Sequence, residues 1–467
     1  MSGGVDSSVA AALVKSAGDQ AIGVWMRLSD VSDSHSEFER SCCSLDAAED
    51  ARRVASQLDI PFYILNLERE FDEGVVQPFI RAYLEGRTPS PCVDCNTVVK
   101  FGALLGRARQ MYQCDAVATG HYARIDRDGT AYRLLRSLDP AKDQSYFLYG
   151  LGQEELAHVR FPLGEMSKPD VRAAARAMGL ATADKRDSQE ICFVPRGDYR
   201  DVLRERAGWK AEPGPLLDID GRQVGEHFGA AGYTVGQRQG TGVALGEPRY
   251  VWKIDAGANV IKLGRRQDLD TRRIELDEVH FVAGGPPAAA LSPDDASGAF
   301  RAEVQIRHRG RPAPATVRQL ASDRWSVDTD EPVWAAAPGQ AAVFYRGEVV
   351  LGGGRIVRSG APEVCPAPYT RGVVISPAII LALLVGGFHT ALFLFLRGSG
   401  GFQLYTTYVA AALGAWAGDA IGGRLGIDPI RLGDFHLMAA SVVAWTGIIF
   451  VEVLFILGPS ADEDLDL

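Results

Sequence analysis

The first eight residues, MSGGVDSS, restrict the fold of this chain more than any other stretch. Two adjacent glycines allow a tight turn whose N–H groups point inward, and hydroxyls at Ser7 and Ser8 precede a helix predicted to begin at Val9. Such a turn is typical of loops that bind the phosphates of a nucleotide. It lacks the Gly-Lys-Ser/Thr of a Walker loop, and its Asp6 is a candidate ligand for a Mg²⁺ ion that bridges phosphate oxygens. The alternative is a serine-capped helix after a glycine turn.

A phosphate loop normally follows a buried strand that positions it, and here only Met1 precedes the loop. Two explanations stay open for this feature. Either the true start codon lies upstream, or the sheet lacks its first strand. In the second case the strand predicted over residues 21–26 loses its neighbour and the loop loses its anchor.

Strands and helices alternate over residues 1 to 195, which predicts an α/β domain with a parallel sheet covered on both faces. The predicted elements are strands at 21–26, 62–67 and 116–120 and a helix at 46–58. Between 215 and 358 the pattern changes to short β-rich pieces with Gly and Pro turns, such as 250–254, 260–263 and 341–345. This pattern predicts a small linking domain followed by an antiparallel β-barrel.

Size and charge narrow the class of protein. A chain of 467 residues is too long for one ordinary core, so three or more units are expected. The formal net charge of −10 argues against a general polyanion binder, and any contact with nucleic acid must come from local Lys and Arg clusters. Seven cysteines, an odd number, without a secretory signal pattern indicate a reducing, cytoplasmic compartment for the main body.

The C-terminal region changes character after the Pro-Ala-Pro at 366–368. Residues 372–396 contain no Asp, Glu, Lys or Arg and are long enough to cross a bilayer, so a transmembrane helix is predicted. Two weaker segments follow at 402–418 and 435–457, for which a buried soluble hairpin is the alternative. The arginine distribution favours a body on the inner face of the cell membrane and an acidic tail outside.

Three cysteines stand in notable contexts. Cys92 and Cys95 form a Cys-x-x-Cys that we expect on a proline-bounded turn, with helical spacing over 97–108. A thiol near a helix N-terminus is more nucleophilic at neutral pH. Cys192 lies far along the chain in the stretch DSQEICF. Each could instead be a small buried side chain or half of a zinc site.

Taken with the loop, these segments make the chain resemble the tRNA-specific 2-thiouridylases, PP-loop ATP pyrophosphatases that replace the C2 oxygen of the wobble uridine of tRNA with sulfur. The resemblance covers residues 2 to about 358. It rests on the loop at 2–8 and on GRTPSP at 86–91, CN at 95–96, ATGHY at 118–122, KDQSYFL at 142–148, DS at 187–188, ICF at 191–193, YTVGQR at 233–238 and PGQAAVFY at 338–345.

The resemblance implies a domain order and a set of site residues. The domains are a PP-loop (adenine nucleotide alpha hydrolase-like) domain at 1–198, a central domain at 199–270, a barrel that contacts tRNA at 271–359, a linker at 360–371, two or three transmembrane helices within 372–458 and an acidic tail at 459–467. The reactive cysteines are Cys95 and Cys192. The nucleotide-binding residues are Ser2, Gly3, Gly4, Val5, Asp6, Ser7, Ser8, Met26 and Gly120. The tRNA contacts are Ser90, Pro91, Cys92, His121, Lys142, Asp143, Gln144, Arg307, His308 and Gln340.

The chemistry of these groups agrees with that activity. ATP, with Mg²⁺, adenylates the C2 oxygen so that it leaves as AMP, and a persulfide on Cys192, loaded by a sulfur-carrier protein or a cysteine desulfurase relay, supplies sulfur. Cys95 resolves the persulfide, for instance by forming a disulfide with Cys192. Alternatively, Cys92, Cys95 and Cys192 hold a [4Fe–4S] cluster. Cys42, Cys43, Cys114 and Cys365 are expected to be packing residues.

For two of these segments a purely structural interpretation also stays open. Residues 142–144 are compatible with a buried helix, and the arginines of Arg307-His308-Arg309-Gly310-Arg311 with a solvated strand end, although they also make a plausible phosphate contact. Two other functions are compatible with the motifs. One is a PP-loop enzyme with an amidating or ligating acceptor, and the other is a catalytically inactive tRNA-binding module tethered to the membrane.

Overall fold

The computed structural model describes residues 1–29, 45–185, 191–194, 198–243, 246–287, 299–359, 377–397, 404–425, 430–432 and 435–457. Several features predicted from the sequence lie outside these residues. They are Cys42, Cys43, Cys365, the Asp187-Ser188 pair, the linker at 360–371 and the acidic tail at 459–467. The chain divides into two compact units, the first of residues 1–214, 228–236 and 250–366, and the second of residues 215–227, 237–249 and 367–467.

Short strands and helices alternate in the first part of the chain, as the sequence predicts. The elements are α1 (Val5–Ser16), β1 (Gly23–Arg27), α2 (Leu45–Gln57), β2 (Phe62–Asn66), α3 (Glu68–Phe71), α4 (Gln77–Leu84), α5 (Pro91–Asp94), α6 (Leu105–Tyr112), β3 (Val117–Ala118), β4 (Ala123–Asp128), β5 (Ala131–Arg136), α7 (Gln153–Ala157), β6 (Val159–Arg160), α8 (Lys168–Ala177) and α9 (Tyr199–Ala207). A π-helical segment at Asp72–Val76 joins α3 to α4.

The parallel sheet of this part consists of two pieces. Strand β1 pairs in parallel with β2, from Gly23 opposite Phe62 to Arg27 opposite Asn66, and β3 pairs in parallel with β6. Within the described residues no strand joins the two pieces. The α-amino group of Met1 donates a hydrogen bond to the carbonyl oxygen of Val24, so the backbone of β1 is contacted by the residue that precedes the phosphate loop.

One long helical stretch carries the Cys-x-x-Cys. It comprises α5, a π-helical segment at Cys95–Leu104 and α6 without interruption. Cys92 and Cys95 therefore lie at the start of a helix, and the turn predicted for them is limited to the residues before Pro91. Pro91 suits the first helical position because its missing N–H would have no helical partner there. A π-helical segment inside an α-helix is a frequent feature of functional sites.

A six-stranded antiparallel barrel follows, as predicted. Its strands are β11 (Asp270–Phe281), β12 (Phe300–Gln305), β13 (Ala313–Ala321), β14 (Arg324–Trp334), β15 (Ala341–Arg346) and β16 (Val349–Ser359). The barrel closes because β11 pairs with both β14 and β16. Strand β16 also pairs with β5 through Val349 and Val350, so the β4–β5 hairpin of the first domain extends the barrel sheet. The predicted boundary between domains is thus crossed by one continuous sheet.

The linking region contains two pairs of short strands, β7 (Gly214–Leu217) with β8 (Gln223–His227), and β9 (Tyr250–Asp255) with β10 (Val260–Gly264). The pair β9–β10 is antiparallel and has a register shift between Lys262 and Leu263. These strands match the short β-rich pieces predicted between the α/β domain and the barrel.

Three helices dominate the second unit: α10 (Pro377–Arg397), α11 (Leu404–Leu425) and α12 (Leu437–Leu457). A two-residue pairing of β17 (Arg431–Leu432) with β18 (Phe435–His436) precedes α12. By length and composition, Ala378–Arg397 and Leu437–Leu454 are apolar enough to cross a membrane, and α11 falls short of the same measure. Only 22% and 17% of these two windows are buried, whereas the core helix of a soluble protein is mostly buried.

Glycines let α11 approach α12 at backbone distance. A Cβ atom placed on Gly418 would lie 2.4 Å from the carbonyl oxygen of Ala439, and one on Gly414 would lie 2.6 Å from that of Val443. Such small-residue contacts are typical of packed membrane helices. Ionisable groups pair with each other: Asp419 accepts hydrogen bonds from the backbone N–H (2.8 Å) and Nδ1 (3.1 Å) of His436.

We expect Gly418→Ala to lower the free energy of unfolding of the helical unit by about 1–3 kcal/mol, because the new methyl group overpacks the α11–α12 contact. Gly387→Ala is the matched control, since its nearest neighbour, a ring carbon of Tyr408, is 3.6 Å away. That variant should be neutral or gain up to about 1 kcal/mol from helix propensity. The measurement is denaturant unfolding in detergent, followed by circular dichroism. Equal effects of the two substitutions would contradict this packing.

Candidate nucleotide and cysteine site

The phosphate loop, residues 2–8, forms the start of helix α1. The helix begins at Val5, earlier than the predicted Val9, so Asp6, Ser7 and Ser8 lie in its first turn. Gly4 is the N-cap residue and supplies no side-chain cap. The N–H groups of the first turn have no helical acceptors, and together with the helix dipole they favour an anion at this position.

The hydroxyls of Ser7 and Ser8 both form hydrogen bonds to the backbone of the loop. Ser7 Oγ donates to the carbonyl oxygen of Gly4 (3.0 Å) and accepts from the backbone N–H of Ser2 (3.0 Å). Ser8 Oγ donates to the same carbonyl (2.9 Å) and accepts from Thr182 Oγ1 (2.9 Å), and Ser8 is fully buried. The sequence predicts these hydroxyls as phosphate donors. The structure gives both of them internal partners, which leaves the backbone N–H groups as the main donors of the loop.

Two glycines are required by close approach. Gly3 has φ +72°, and a Cβ atom there would lie 2.2 Å from the carbonyl oxygen of Ala47. Gly120 packs directly on the loop backbone, since its Cβ would lie 2.7 Å from the carbonyl carbon of Asp6 and 2.8 Å from the nitrogen of Ser7. Two of the three predicted nucleotide-binding glycines, Gly3 and Gly120, therefore fix the shape of the loop.

The carboxylate of Asp6 is engaged by two side chains. Lys168 Nζ lies 2.7 Å and 2.8 Å from its two oxygens, and the hydroxyl of Tyr122 donates to Oδ1 at 2.8 Å. Among the described residues no group of three His, Cys, Asp or Glu side chains could hold a metal ion. This arrangement does not fit a prepared Mg²⁺ site at Asp6, so magnesium binding there stays a prediction.

The other predicted nucleotide residues have clear positions. Val5 is buried in a cluster with Val9 and Tyr122, so its side chain packs and only its backbone faces the loop. Met26 lies within strand β1, as predicted, and packs partly buried against the cluster that also contains Cys95.

The two predicted reactive cysteines pack against one hydrophobic cluster. Cys95 is 9% exposed and belongs to that cluster, and Cys192 packs on it partly buried. The neighbour of Cys192, Phe193, places its ring edge-on to Phe71 (5.5 Å between centroids) and Phe79 (5.0 Å). The aromatic contacts anchor the Cys192 segment in the first domain, and Cys92, on the same helix as Cys95, is exposed.

The barrel holds both ends of the stretch that carries Cys92. The Gln340 amide donates to the carbonyl oxygens of Thr88 (3.1 Å) and Pro89 (2.9 Å). At the other end, Arg355 of β16 forms an ion pair with Asp94. Burial raises the pKa of Asp94, although the Arg355 guanidinium acts to lower it. We call these contacts, from Gln340 and Arg355 to residues 88–94, the barrel clamp.

The structure shows no disulfide among the four described cysteines, Cys92, Cys95, Cys114 and Cys192. The structure therefore does not support the predicted Cys95–Cys192 disulfide in the resting protein. The [4Fe–4S] alternative is also without support, because the described residues contain no three clustered metal ligands and Cys92 points to solvent while Cys95 is buried. Cys114 is half-buried outside this cluster.

His121, predicted to contact tRNA, is held between two side chains. Its Nδ1 lies 2.8 Å from Thr119 Oγ1, and its Nε2 lies 3.5 Å from Lys100 Nζ. Desolvation, together with the charge of Lys100, lowers the pKa of His121 well below its usual value. A neutral imidazole does not attract a phosphate, so its charge cannot supply the predicted tRNA contact.

Residues 142–144 lie in a loop and not in a helix. Asp143 forms an ion pair with Arg136 at 2.8 Å and accepts from the backbone N–H groups of Ser137 and Ser145, both at 3.1 Å. Gln144 Oε1 accepts from the backbone N–H of Tyr122 at 3.0 Å. These two side chains support the loop that carries them, and Lys142 is half-buried.

The remaining predicted tRNA contacts lie on the barrel or beside the cysteine helix. Arg307 donates to the carbonyl oxygen of Trp334 and lies over its ring, 5.2 Å from the centroid. The ring of His308 is 4.5 Å from that of Phe147, and desolvation lowers its pKa. Ser90 and Pro91, in contrast with Cys92, are buried.

Sequence reasoning missed Lys168, Asp94 and Arg355. Lys168 had a detectable signal, because it is a cation in the first turn of a helix, where the dipole favours anions. Asp94 lies between the two cysteines, but nothing local indicates that its partner is Arg355, since that contact joins residues 261 positions apart.

Three family models match the chain in order. Residues 1–196 match the tRNA methyl transferase HUP domain, residues 200–265 match the tRNA methyl transferase PRC-barrel domain, and residues 271–356 match the aminomethyltransferase beta-barrel domain. These limits run close to the predicted domains at 1–198, 199–270 and 271–359.

Similar proteins cover the same part of the chain. The tRNA-specific 2-thiouridylase MnmA of Chloroflexus aggregans is 49% identical over 365 residues, which are 78% of this chain and 98% of that protein. Those of Roseiflexus castenholzii and Moorella thermoacetica are 46% and 47% identical, covering 77% and 76% of this chain and 98% of each relative.

We expect the free energy of unfolding to fall as the pH drops below about 6.5, the pKa of an unperturbed histidine, partly through His121. Because the pKa of His121 is lowered in the folded protein, the unfolded chain binds its proton first. The loss is at most about 1.4 kcal/mol per pH unit for one proton. His121→Gln should flatten this dependence, measured by urea unfolding between pH 7.5 and 5. His158→Gln, at a half-buried histidine that bonds the Asp115 carbonyl oxygen, is the control. An unchanged pH slope in His121→Gln would contradict the assignment.

Proposed function

Because this chain belongs to the tRNA-specific 2-thiouridylase family, whose members are tRNA-uridine 2-sulfurtransferases, we propose that it uses ATP to replace the C2 oxygen of the wobble uridine of tRNA with sulfur. The observation that carries the proposal is that Cys95 and Cys192, from distant parts of the sequence, pack against one cluster in the domain that also contains the phosphate loop. Formation of pyrophosphate and AMP that depends on unmodified tRNA tests this proposal. AMP formation with a different acceptor would point to an amidating or ligating enzyme.

In the first step, the C2 oxygen of uridine attacks the α-phosphorus of ATP, and pyrophosphate leaves. The first-turn N–H groups of α1 stabilise the negative charge of the phosphates. The oxygen then departs with AMP, which solves the problem that a carbonyl oxygen is otherwise a poor leaving group. Gly120 and Gly3 keep the loop backbone close enough to its neighbours to hold this geometry.

In the second step, the terminal sulfur of a Cys192 persulfide attacks C2 as AMP leaves. Cys95 then attacks the Cys192 sulfur, which breaks the S–S bond to the new 2-thiouridine and leaves a Cys95–Cys192 disulfide. A thiol reductant must return both cysteines to thiols before the next cycle. A sulfur-carrier protein, or a cysteine desulfurase relay, supplies the persulfide sulfur.

The tRNA contacts belong to this proposal as well. Exposed Cys92 marks the accessible side of the cysteine helix, where the target base would enter beside Ser90. Exposed Arg309 and Arg311 follow Arg307 and His308 on the barrel and are suited to phosphate contact. Gln340 acts through its bonds to Thr88 and Pro89, behind the base-binding segment.

We further propose that the C-terminal helices tether a cytoplasmic enzyme to the inner face of the cell membrane. Helices α10 and α12 are long and apolar, and only 22% and 17% of their apolar windows are buried. Two pairs of ionisable side chains lie in this unit, Arg397 with Glu452 and His436 with Asp419, and such pairing is expected in a membrane. The family match ends at residue 356, so the helices are an addition to the thiolation machinery.

Cys95→Ser and Cys192→Ser should each abolish thiolation and leave tRNA affinity within about two-fold, because neither thiol contributes phosphate contacts. The measurements are mass spectrometry of digested tRNA and a filter-binding titration. Cys114→Ser is the matched control and should thiolate normally. Residual thiolation above a few per cent in either variant would rule out the two-cysteine mechanism.

Removing the residues after Arg358 should give a protein that is soluble without detergent and thiolates tRNA at the rate of the full chain. The reason is that the three family matches all lie before this point. The test compares detergent dependence and turnover of the two proteins. Aggregation or inactivity of the shorter chain would make the helices part of the enzyme core, and a detergent-free soluble full chain would end the membrane proposal.

A further inference from the structure

The two cysteines of the proposed reaction are withdrawn from solvent. Cys95 is 9% exposed and lies within a hydrophobic cluster, and Cys192 packs partly buried against the same cluster. Each turnover of the proposed reaction leaves these two sulfurs joined as a disulfide, and thiol–disulfide exchange requires a thiolate to reach one of the bonded sulfur atoms. A reductant in solution therefore has poor access to the Cys95–Cys192 bond that it must break.

Cys92 supplies an exposed sulfur next to this pair. Of the four cysteines in the described part of the chain, it alone is exposed. It precedes Cys95 by three residues on the same helical stretch, and the backbone N–H of Cys95 donates to the carbonyl oxygen of Cys92. Cα atoms three residues apart in a helix are separated by about 5 Å, which lies within the range of about 4.4–6.8 Å that a disulfide spans. A Cys92–Cys95 disulfide is thus compatible with the helix that carries both residues.

The residues on either side of Cys95 fix this part of the helix. Before it, Asp94 forms the ion pair with Arg355. After it, the amide of Asn96, which is 3% exposed, donates to the carbonyl oxygen of Phe147 at 3.1 Å. A carboxylate between two thiols opposes the formation of a thiolate, and the Arg355 guanidinium balances that charge. The helix therefore keeps its two sulfurs three positions apart without an uncompensated negative charge between them.

We propose that Cys92 is a third redox cysteine, which carries the disulfide from the buried pair to the surface. The Cys92 thiolate attacks the sulfur of Cys95, the Cys95–Cys192 bond breaks, and Cys192 leaves as a thiolate that takes up a proton. A dithiol reductant then attacks the exposed Cys92 sulfur, supplies two electrons and is oxidised to its own disulfide, and Cys95 returns to a thiol. Cys-x-x-Cys pairs carry out such exchanges in disulfide oxidoreductases. This inference rests on the proposed function, in that it takes the Cys95–Cys192 disulfide as the product of each turnover.

The test compares single-turnover and steady-state thiolation by the full chain in detergent. The chain is loaded with persulfide sulfur by a cysteine desulfurase and given ATP and unmodified tRNA, with a protein dithiol as reductant in the steady state. Cys92→Ser should lower the ratio of the steady-state rate to the single-turnover rate by at least about five-fold, because the buried disulfide then waits for direct attack. A lost contact with the target base slows the single turnover and so cannot reduce this ratio. Cys114→Ser, at a half-buried cysteine outside the cluster, is the matched control and should keep the ratio.

Disulfides trapped after one turnover give a second, direct readout. Without reductant, the unaltered chain should end with a Cys92–Cys95 bond, whereas Cys92→Ser should end with a Cys95–Cys192 bond. The reaction is stopped in acid, free thiols are alkylated, and mass spectrometry of unreduced peptides identifies each bond. A Cys95–Cys192 bond as the sole disulfide of the unaltered chain would overturn the proposal. An unchanged rate ratio in Cys92→Ser would overturn it as well.

Failure of this inference and failure of the proposed function are distinguishable in the same experiment. If the loaded chain makes no 2-thiouridine, or if Cys92→Ser makes it without forming a Cys95–Cys192 disulfide, the proposed mechanism fails and this inference with it. If both products form and the rate ratio is unchanged in Cys92→Ser, the inference about Cys92 fails alone. If the serine variant does not fold, as judged by circular dichroism, Cys92→Ala replaces it, and the same rate ratio and disulfide decide.

Discussion

The contact between Arg355 and Asp94 is the interaction on which the arrangement of the cysteine site depends. Both partners are largely buried, at 16% and 21% exposure, so removing one would leave the other charged and desolvated. The pair ties the helix that carries Cys92 and Cys95 to strand β16. That strand in turn pairs with β11, β15 and β5, so it belongs to the barrel and to the first domain at once.

The shape of the phosphate loop depends on a second constraint, which is the close approach of backbone atoms. Gly3 against Ala47 and Gly120 against Asp6 leave no room for a side chain at either position. Lys168 and Tyr122 then fix the Asp6 carboxylate from two other elements. The loop therefore needs α2, α8 and the segment after β3 for its shape, and this explains how it is held although the described sheet has two separate pieces.

Local sequence patterns predicted most helices and strands well. The residue roles that depend on contacts between distant parts of the chain could not be predicted from them. The strands at 62–66 and 341–346 follow from short runs of apolar residues. The helix at 45–57 follows from helical periodicity, which places Ala47, Ala51 and Val54 on one buried face. The start of α1 was predicted four residues late, since Asp6, Ser7 and Ser8 read equally well as loop residues and as first-turn residues. The role of Asp143 as a structural anchor depends on its ion pair with Arg136, and the lowered pKa of His121 depends on burial beside Lys100. No local sequence pattern indicates either of these contacts.

The barrel clamp has a consequence for the order in which the chain folds. Its hydrogen bonds join residues separated by 251, 252 and 261 positions. Domains fold as they leave the ribosome, from the N-terminus onward, and long-range contacts form late because closing a large loop costs entropy. The segment around Cys92 thus completes its structure only after β16 has been synthesised. Strand β16 ends at Ser359 and helix α10 begins at Pro377, so closure of the barrel and synthesis of the first apolar helix fall within the same short interval.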